Sequence, residues 1–327
     1  IGHPFEARTR IGHTDFLEDV ATTQVDGRTV LVSTDFDGSL RRWNLATREP
    51  VGQPIQVADG PVGGLAITDL DGRPVAVTGA YDNTVREWDL ATGAPLTPPL
   101  TGHTGAIQDV AVADLGGRSV AVTGGNDATV RVWDLRSGSA VGTPITGSGK
   151  EVFAVATAQL DGRPVIVSGG LGDDVHLWDL ATHAAVGAPL DTGGRTVFAL
   201  VVTQLAGRPL VVAGLDDGTM QVWDLRDRTT VATLRGSSGR VGAVTVMQRN
   251  GRPVVIASGS DDIVRAWDLT TGATIGHPFR NDSTEVNGIT GDVEAMTVAD
   301  VDGRALLVTG SYDRLLRVWD LAPSLGI

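Results

Sequence analysis

The chain has no cysteine, which excludes disulfides, thiolate metal sites and cysteine nucleophiles together. Lysine is almost missing too: of the 26 basic residues only Lys150 is not arginine. With the abundance of Ala, Gly and Val, that bias points to a GC-rich, bacterial genome. Aromatic residues make up 5% of the chain, and no apolar run approaches the length of a membrane span. No basic leader or signal-peptide core opens the sequence, so the expected location is cytoplasmic. Residue 1 is Ile rather than Met, and the expectation is a domain cut from a longer protein and covalently joined to further domains. Basic charge is in deficit as well. The formal net charge of −13 argues against a nucleic-acid backbone or an anionic membrane as the main partner.

What is present is repetition. At 327 residues the chain exceeds one ordinary core, and its 43 glycines and 41% hydrophobic content describe a soluble globular protein with many turns. Tryptophan falls at 43, 88, 133, 178, 223, 267 and 319, with spacings of 45, 45, 45, 45, 44 and 52. Self-similarity at that period marks a repeated supersecondary unit, here spanning 1–327 as a single domain. The unit LGGRSVAVTGGNDATVRVWDL at 115–135 is typical. The alternating run TVRVW has the period of a half-buried strand, and the β-branched run SVAVTG suits a buried one. A turn carrying Asp joins the two. Upstream lies a further strand such as AIQDVAVAD, joined through DG, GG, AG or NG and followed in all seven repeats by Arg. Such dipeptides signal type I′ turns, which need two residues at positive φ. Three antiparallel strands therefore form a meander. A fourth segment follows each Trp (PVGQPI, PLTPPL, AVGTPI, AVGAPL, TVATL, TIGHPF), and five of these six contain proline. Proline cannot donate to a ladder, so the fourth strand is the outer edge.

Four-stranded sheets whose third strand closes on Trp-Asp resemble the blades of WD-repeat β-propellers, and the resemblance covers the whole chain. Six repeats carry WD, at Trp88, Trp133, Trp178, Trp223, Trp267 and Trp319, while the first has Trp43-Asn44. Two keep the family's Gly-His, at Gly12-His13 and Gly102-His103. The fold class is all-β: a seven-bladed propeller of four-stranded antiparallel blades. After Trp319 only DLAPSLGI remains, whereas the chain opens with IGHPF, the same five residues that recur at 275–279. The N-terminal segment is thus expected to complete the last blade, a closure for which WD-repeat proteins are known.

His13, Ser33, Asp37 and Trp43 recur as His103, Thr123, Asp127 and Trp133. The residue types suggest a catalytic triad, but the resemblance implies a structural hydrogen-bond chain running from loop His through hydroxyl and turn Asp to Trp. Blades 2 and 7 keep Thr78/Asp82 and Thr309/Asp313 without the His. Blade 4 has Gly172 at the Asp position, and blades 5 and 6 have Ala213 and Ala257 at the hydroxyl position, so the middle blades are expected to be softer. GSGKE at 147–151 fails as a phosphate loop, since Glu151 stands where Ser or Thr is required and Pro144 where Gly is. The remaining histidines lack metal-ligand spacing, and no metal or cofactor is expected. NDS at 281–283 is a formal glycosylation acceptor. The seven hairpin arginines are expected to form a solvated, self-neutralised rim.

In WD-repeat proteins partners most often dock on the face made by the turns before the third strand and the loops leading into the first. Three positions per blade point there. Six of the chain's eight Phe and Tyr residues fall among them: Phe16, Phe36, Tyr81, Phe153, Phe198 and Tyr312. Glu18, Glu151, Asp216, Asp292 and Glu294 interleave with them. Aromatics in a concave site anchor recognition because they bury much area at little entropic cost. The reading is a non-enzymatic module, catalytic residues none, that binds a protein or peptide of basic and apolar character. The competing readings are rings that merely fill the channel, an oligomerisation scaffold, and an enzyme with a channel site. Similar propellers sit behind signalling ATPases, kinases or caspase-like proteases in bacteria, which implies a sensor or interaction role. The long spacing before Trp319 places an extended loop in RNDSTEVNGITGD at 280–292, beside an arc of Tyr312, Phe16, Phe36 and Tyr81. Phe153 and Phe198 form a second patch opposite.

Overall fold

The computed structural model describes residues 5–6, 13–147, 149–172, 174–281 and 292–321. Seven antiparallel sheets follow one another round a ring, each a blade of the propeller. Blade 1 is built from Leu17–Val25, Arg28–Asp35 and Ser39–Asn44, with Ile55–Gln56 outermost. Its first hairpin turns on Asp26 and Gly27, at φ of +50° and +71°. Both turn residues lie at positive φ in all seven blades, even where the first is Ala206 at +50°. A primed turn matches the right-handed strand twist, and the Asx-Gly spacing is read correctly as its signal.

The outer strands vary. Blades 3, 5 and 6 have long ones, Ser139–Ile145, Thr230–Arg235 and Thr274–Arg280. Blades 1 and 2 have only Ile55–Gln56 and Leu100–Thr101, helped by single pairings of Trp43 with Pro50 and Trp88 with Pro95. In blade 4 the expected strand AVGAPL does not form; Val175 pairs with Leu190 and Trp178 with Ala185, and nothing continuous joins them among the described residues. Gly187 at φ +65° and Pro189, which has no N–H, interrupt the ladder. The same two residue types in blade 3, Gly142 and Pro144, produce a register shift within the strand instead.

No single core exists. Each blade interface has its own cluster of Val, Leu and Ala, and each cluster holds one Trp from the later of its two blades. The ring meets itself where Leu31 and Trp43 of blade 1 pack with Val308 and Leu316 of blade 7. Phe279 of blade 6 lies 4.7 Å from the Trp319 ring at the preceding interface. Blade 7 consists of Val293–Val301, Arg304–Ser311 and Leu316–Asp320, with Phe5–Glu6 beside the last. Phe5 lies opposite Val318, one residue before Trp319, whereas its counterpart Phe279 lies opposite Val264, three before Trp267. The two IGHPF segments therefore meet their third strands in different registers, and residues 1–4 of the first lie outside the described residues. Among the described residues no helix is long and apolar enough to cross a membrane.

Candidate functional site

The histidine chains are buried hydrogen-bond relays. In blade 3 the Trp133 Nε1–H donates to Thr123 Oγ1 at 2.9 Å. Thr123 in turn meets His103 Nε2 at 2.7 Å, and His103 Nδ1 meets Asp127 at 2.9 Å. Burial lowers the His103 pKa, so the neutral ring accepts at Nε2 and donates at Nδ1, a tautomer set by the network itself. Asp127 also takes the Thr104 and Thr129 N–H groups, fixing both ends of the loop.

Blade 1 departs from the expected set. His13 Nε2 meets Ser33 Oγ at 2.6 Å, and Trp43 Nε1–H donates to the same oxygen at 2.9 Å. The carboxylate on His13 Nδ1 is that of Asp35, at 2.5 Å, and not that of Asp37. Asp37 accepts the Ser39 N–H at 2.9 Å and caps the turn. Burial, with the Arg41 charge nearby, pushes the His13 imidazole down to about 3. Position 35 is Ala, Gly, Leu or Ser in the other blades, so the repeat pattern gave no sign that an acid there would act.

Blade 7, which lacks the histidine, has a substitute. Trp319 Nε1–H donates to Thr309 at 3.1 Å, Thr309 donates to Asn281 Oδ1 at 2.7 Å, and Asn281 Nδ2 donates to Ser311 at 2.7 Å. Asn281 is 0% exposed, so this asparagine of the NDS acceptor is structural. In blades 2 and 4 the same first step is present, Trp88 donating to Thr78 at 3.2 Å and Trp178 to Ser168 at 2.9 Å.

On the opposite rim, the hairpin arginines of blades 3, 5, 6 and 7 pair with the Asp of the Trp-Asp dipeptide. Arg208 meets Asp224 at 2.6 Å, Arg118 meets Asp134 at 3.6 Å, and Arg304 pairs with Asp320. In blades 2 to 6 the Asp of the dipeptide also caps the turn after the third strand. Asp89 accepts the Ala91 and Thr92 N–H groups at 2.9 and 2.8 Å, and Asn44 does the same for Ala46 and Thr47 in blade 1. The arginines are largely exposed, so these pairs contribute little stability each.

The channel mouth gathers the aromatics. Tyr312, Phe16, Phe36 and Tyr81 form an unbroken arc across blades 7, 1 and 2, with ring centroids 5.1, 5.8 and 6.2 Å apart. Phe153 and Phe198 stack at 5.8 Å on the other side, with the Arg240 guanidinium 5.1 Å from the Phe198 ring. All six rings are half-buried. The cavity between the two groups is about 320 Å³. Glu18 and Glu294 line it, and burial raises both carboxyls, Glu18 further by the Glu294 charge. Arg240 pairs with Glu294 and lies 4.0 Å from Asp292, so part of the acidic charge is answered within the molecule. Glu151 and Asp216 stand nearer the second patch, Asp216 exposed and accepting the Thr196 N–H. Of the loop at 280–292, residues 282–291 lie outside the described residues.

Below the rings are two carboxylates that the repeat pattern did not single out. Asp19 accepts the Val20 N–H at 2.7 Å and the Leu65 N–H of blade 2 at 2.9 Å. Asp109 holds Val110 at 2.7 Å and Val155 of blade 4 at 2.8 Å. Both occupy the strand irregularity near the channel and tie one blade to the next. Burial lifts them to about 7 and about 8, against the pull of the N–H donors. Their signal was an Asp inside an apolar first strand, where only a bulge can host it.

The family model for the WD domain, G-beta repeat, matches the chain twice, over residues 95–134 and 280–320. These stretches hold the three inner strands of blade 3 and of blade 7, including the relays through His103 and Asn281. No curated protein matches the chain.

Proposed function

Because the chain belongs to the WD-repeat β-propeller family, we propose that it is a non-enzymatic recognition module that binds a protein or peptide at its channel mouth. The observation that carries this reading is the continuous arc of Tyr312, Phe16, Phe36 and Tyr81. Rings that are half-buried by one another keep their geometry before a partner arrives, so little conformational entropy is lost on binding. Four carboxyls, Glu18, Asp19, Asp109 and Glu294, line the adjoining cavity against one cation, Arg240, and a basic group brought among them favours the charge that burial withholds, so a basic and apolar segment fits. Phe153 and Phe198, covered on one side by Arg240, form a secondary patch. By analogy with similar propellers, the module serves a larger bacterial signalling protein.

Catalysis by the histidine relays is disfavoured on access: Ser33 and Thr123 are 0% exposed, and their hydroxyls are already engaged by Trp and His. The test is selection from a displayed random dodecapeptide library on the immobilised propeller. Peptides rich in basic and apolar residues, competing with one another for the arc, support the reading. Selected peptides that bind equally well after Phe36 and Tyr312 are both truncated count against it.

A further inference from the structure

A second cavity, of about 280 Å³, opens on the opposite face between blades 2 and 3, far from the aromatic arc. Leu70, Arg73, Leu135 and Arg136 line it, and Glu87 and Thr97 form its inner wall. Glu87 is 0% exposed, and its Oε2 has no hydrogen-bond partner among the described residues. Its other oxygen accepts only a long 3.4 Å bond from Thr97. A buried carboxylate oxygen without a donor costs free energy, and the fold leaves this one against a cavity wall.

The molecule shows what fits such a place. Glu87 stands immediately before Trp88, as Arg42 stands before Trp43. Arg42 reaches into the crevice between blades 1 and 2, where its Nη1 donates to the Leu90 carbonyl at 2.7 Å and it is 7% exposed. Its guanidinium lies against Gly52 and Gly93. One repeat later the corresponding residues are Leu135, Thr97 and Gly138. The crevice therefore repeats the same frame, with Thr97 in place of Gly52 and a carboxylate in place of the cation on its inner wall.

We propose that the cavity between blades 2 and 3 binds the guanidinium of an arginine side chain from a partner peptide, held between Glu87 Oε2 and the Leu135 carbonyl as Arg42 is held by Leu90. Thr97 turns aside to admit it. The rim cations do not supply this group themselves: Arg136 pairs with Asp71 at 2.6 Å, and Arg73 faces Asp89. Burial lifts the Glu87 carboxyl to about 7, with Asp134 adding to the effect, and a delivered cation restores its charge.

The test is titration with N-acetyl-arginine methylamide, followed through the backbone amide resonances of Thr97, Leu135 and Gly138, beside the neutral isostere N-acetyl-citrulline methylamide. Saturable shifts are expected with the arginine compound, and affinity weaker by at least about tenfold for citrulline and for Glu87→Gln. Glu87→Arg, which copies Arg42, should abolish binding while the protein melts no lower than the parent. Equal affinity for arginine and citrulline, parental affinity in Glu87→Gln, or no saturable shift at these amides overturns the proposal. None of these outcomes bears on the aromatic face.

Discussion

The Asn281 amide donates to Ser311 Oγ at 2.7 Å, and Ser311 is the blade 7 counterpart of Asp35, the acid that receives His13 in blade 1. Two different side chains thus bridge the same two strand positions, and each hands its other end to the hydroxyl that holds the blade tryptophan. An amide can replace the imidazole because each presents a donor on one atom and an acceptor on another. His13→Ala and Asn281→Ala should each cost about 1–3 kcal/mol by stranding buried partners. His13→Asn should cost less than half as much as His13→Ala. Urea unfolding of the three variants checks the ranking, and equal losses in His13→Asn and His13→Ala would contradict it.

The same histidine gives a pH dependence of definite sign. Its folded pKa is about 3, below the ordinary value of 6.5, because burial disfavours the cation. Between those values the unfolded chain binds a proton that the folded chain refuses. The contribution of His13 is therefore present above pH 6.5 and lost as the pH falls towards 3. Asp19 and Asp109, raised to about 7 and about 8, act in the opposite direction, since acid removes the penalty of their buried charge. Comparing the parent with His13→Asn cancels them. From pH 7 to 5 the parent should lose up to about 2 kcal/mol relative to the variant, read from denaturant curves at each pH.

Ala206 is the hairpin residue that pays a steric penalty for its place, holding φ at +50° where five repeats use Asp or Asn and one uses Gly. Ala206→Gly should raise stability by about 0.5–1 kcal/mol, seen as a higher melting temperature. A lower one would mean that the strained turn is supported by contacts of the Ala206 methyl.

Much of the architecture is legible in the residues. The tryptophan period marks the blades because every blade interface needs one large ring, and the Asx-Gly-Arg turns mark the hairpins because only certain residues tolerate positive φ. The details that escaped depend on contacts between repeats or on non-equivalent chemistry. Asp35 and Asn281 perform the histidine relay at positions where other blades carry nothing comparable. Asp19 and Asp109 are recognised only once the neighbouring blade presents Leu65 and Val155 to them. Blade 4 reads like blade 3, yet its outer strand gives way at Gly187 and Pro189. The aromatic arc was legible as a set of positions, whereas the Arg240 contacts that neutralise part of its acidic surroundings reach across blades and leave no trace in a one-repeat alignment.

The pairing of Phe5–Glu6 with Leu316–Asp320 makes ring closure by the N-terminal segment a measurable claim. Blades 7 and 1 also meet through the cluster around Trp43, so the ring does not depend on that segment alone. We propose that it links the chain ends and couples all blades into one cooperative unit. Deletion of residues 1–7 should lower the melting temperature or cause aggregation. Unchanged melting of the truncated protein would show that the Trp43 interface suffices.

The central claim is that a partner docks on the arc running from Tyr312 to Tyr81. It is tested most directly by calorimetric affinities of one library-selected peptide for the parent, for Phe36→Ala with Tyr312→Ala, and for Phe153→Ala with Phe198→Ala, each with an unchanged circular dichroism spectrum. Loss of true anchors costs about 2 kcal/mol or more, so the first pair should bind about thirtyfold more weakly than the parent and the second pair should lose less. If the first pair binds as tightly as the parent, the arc is not the docking site; if both pairs do, the rings only fill the channel.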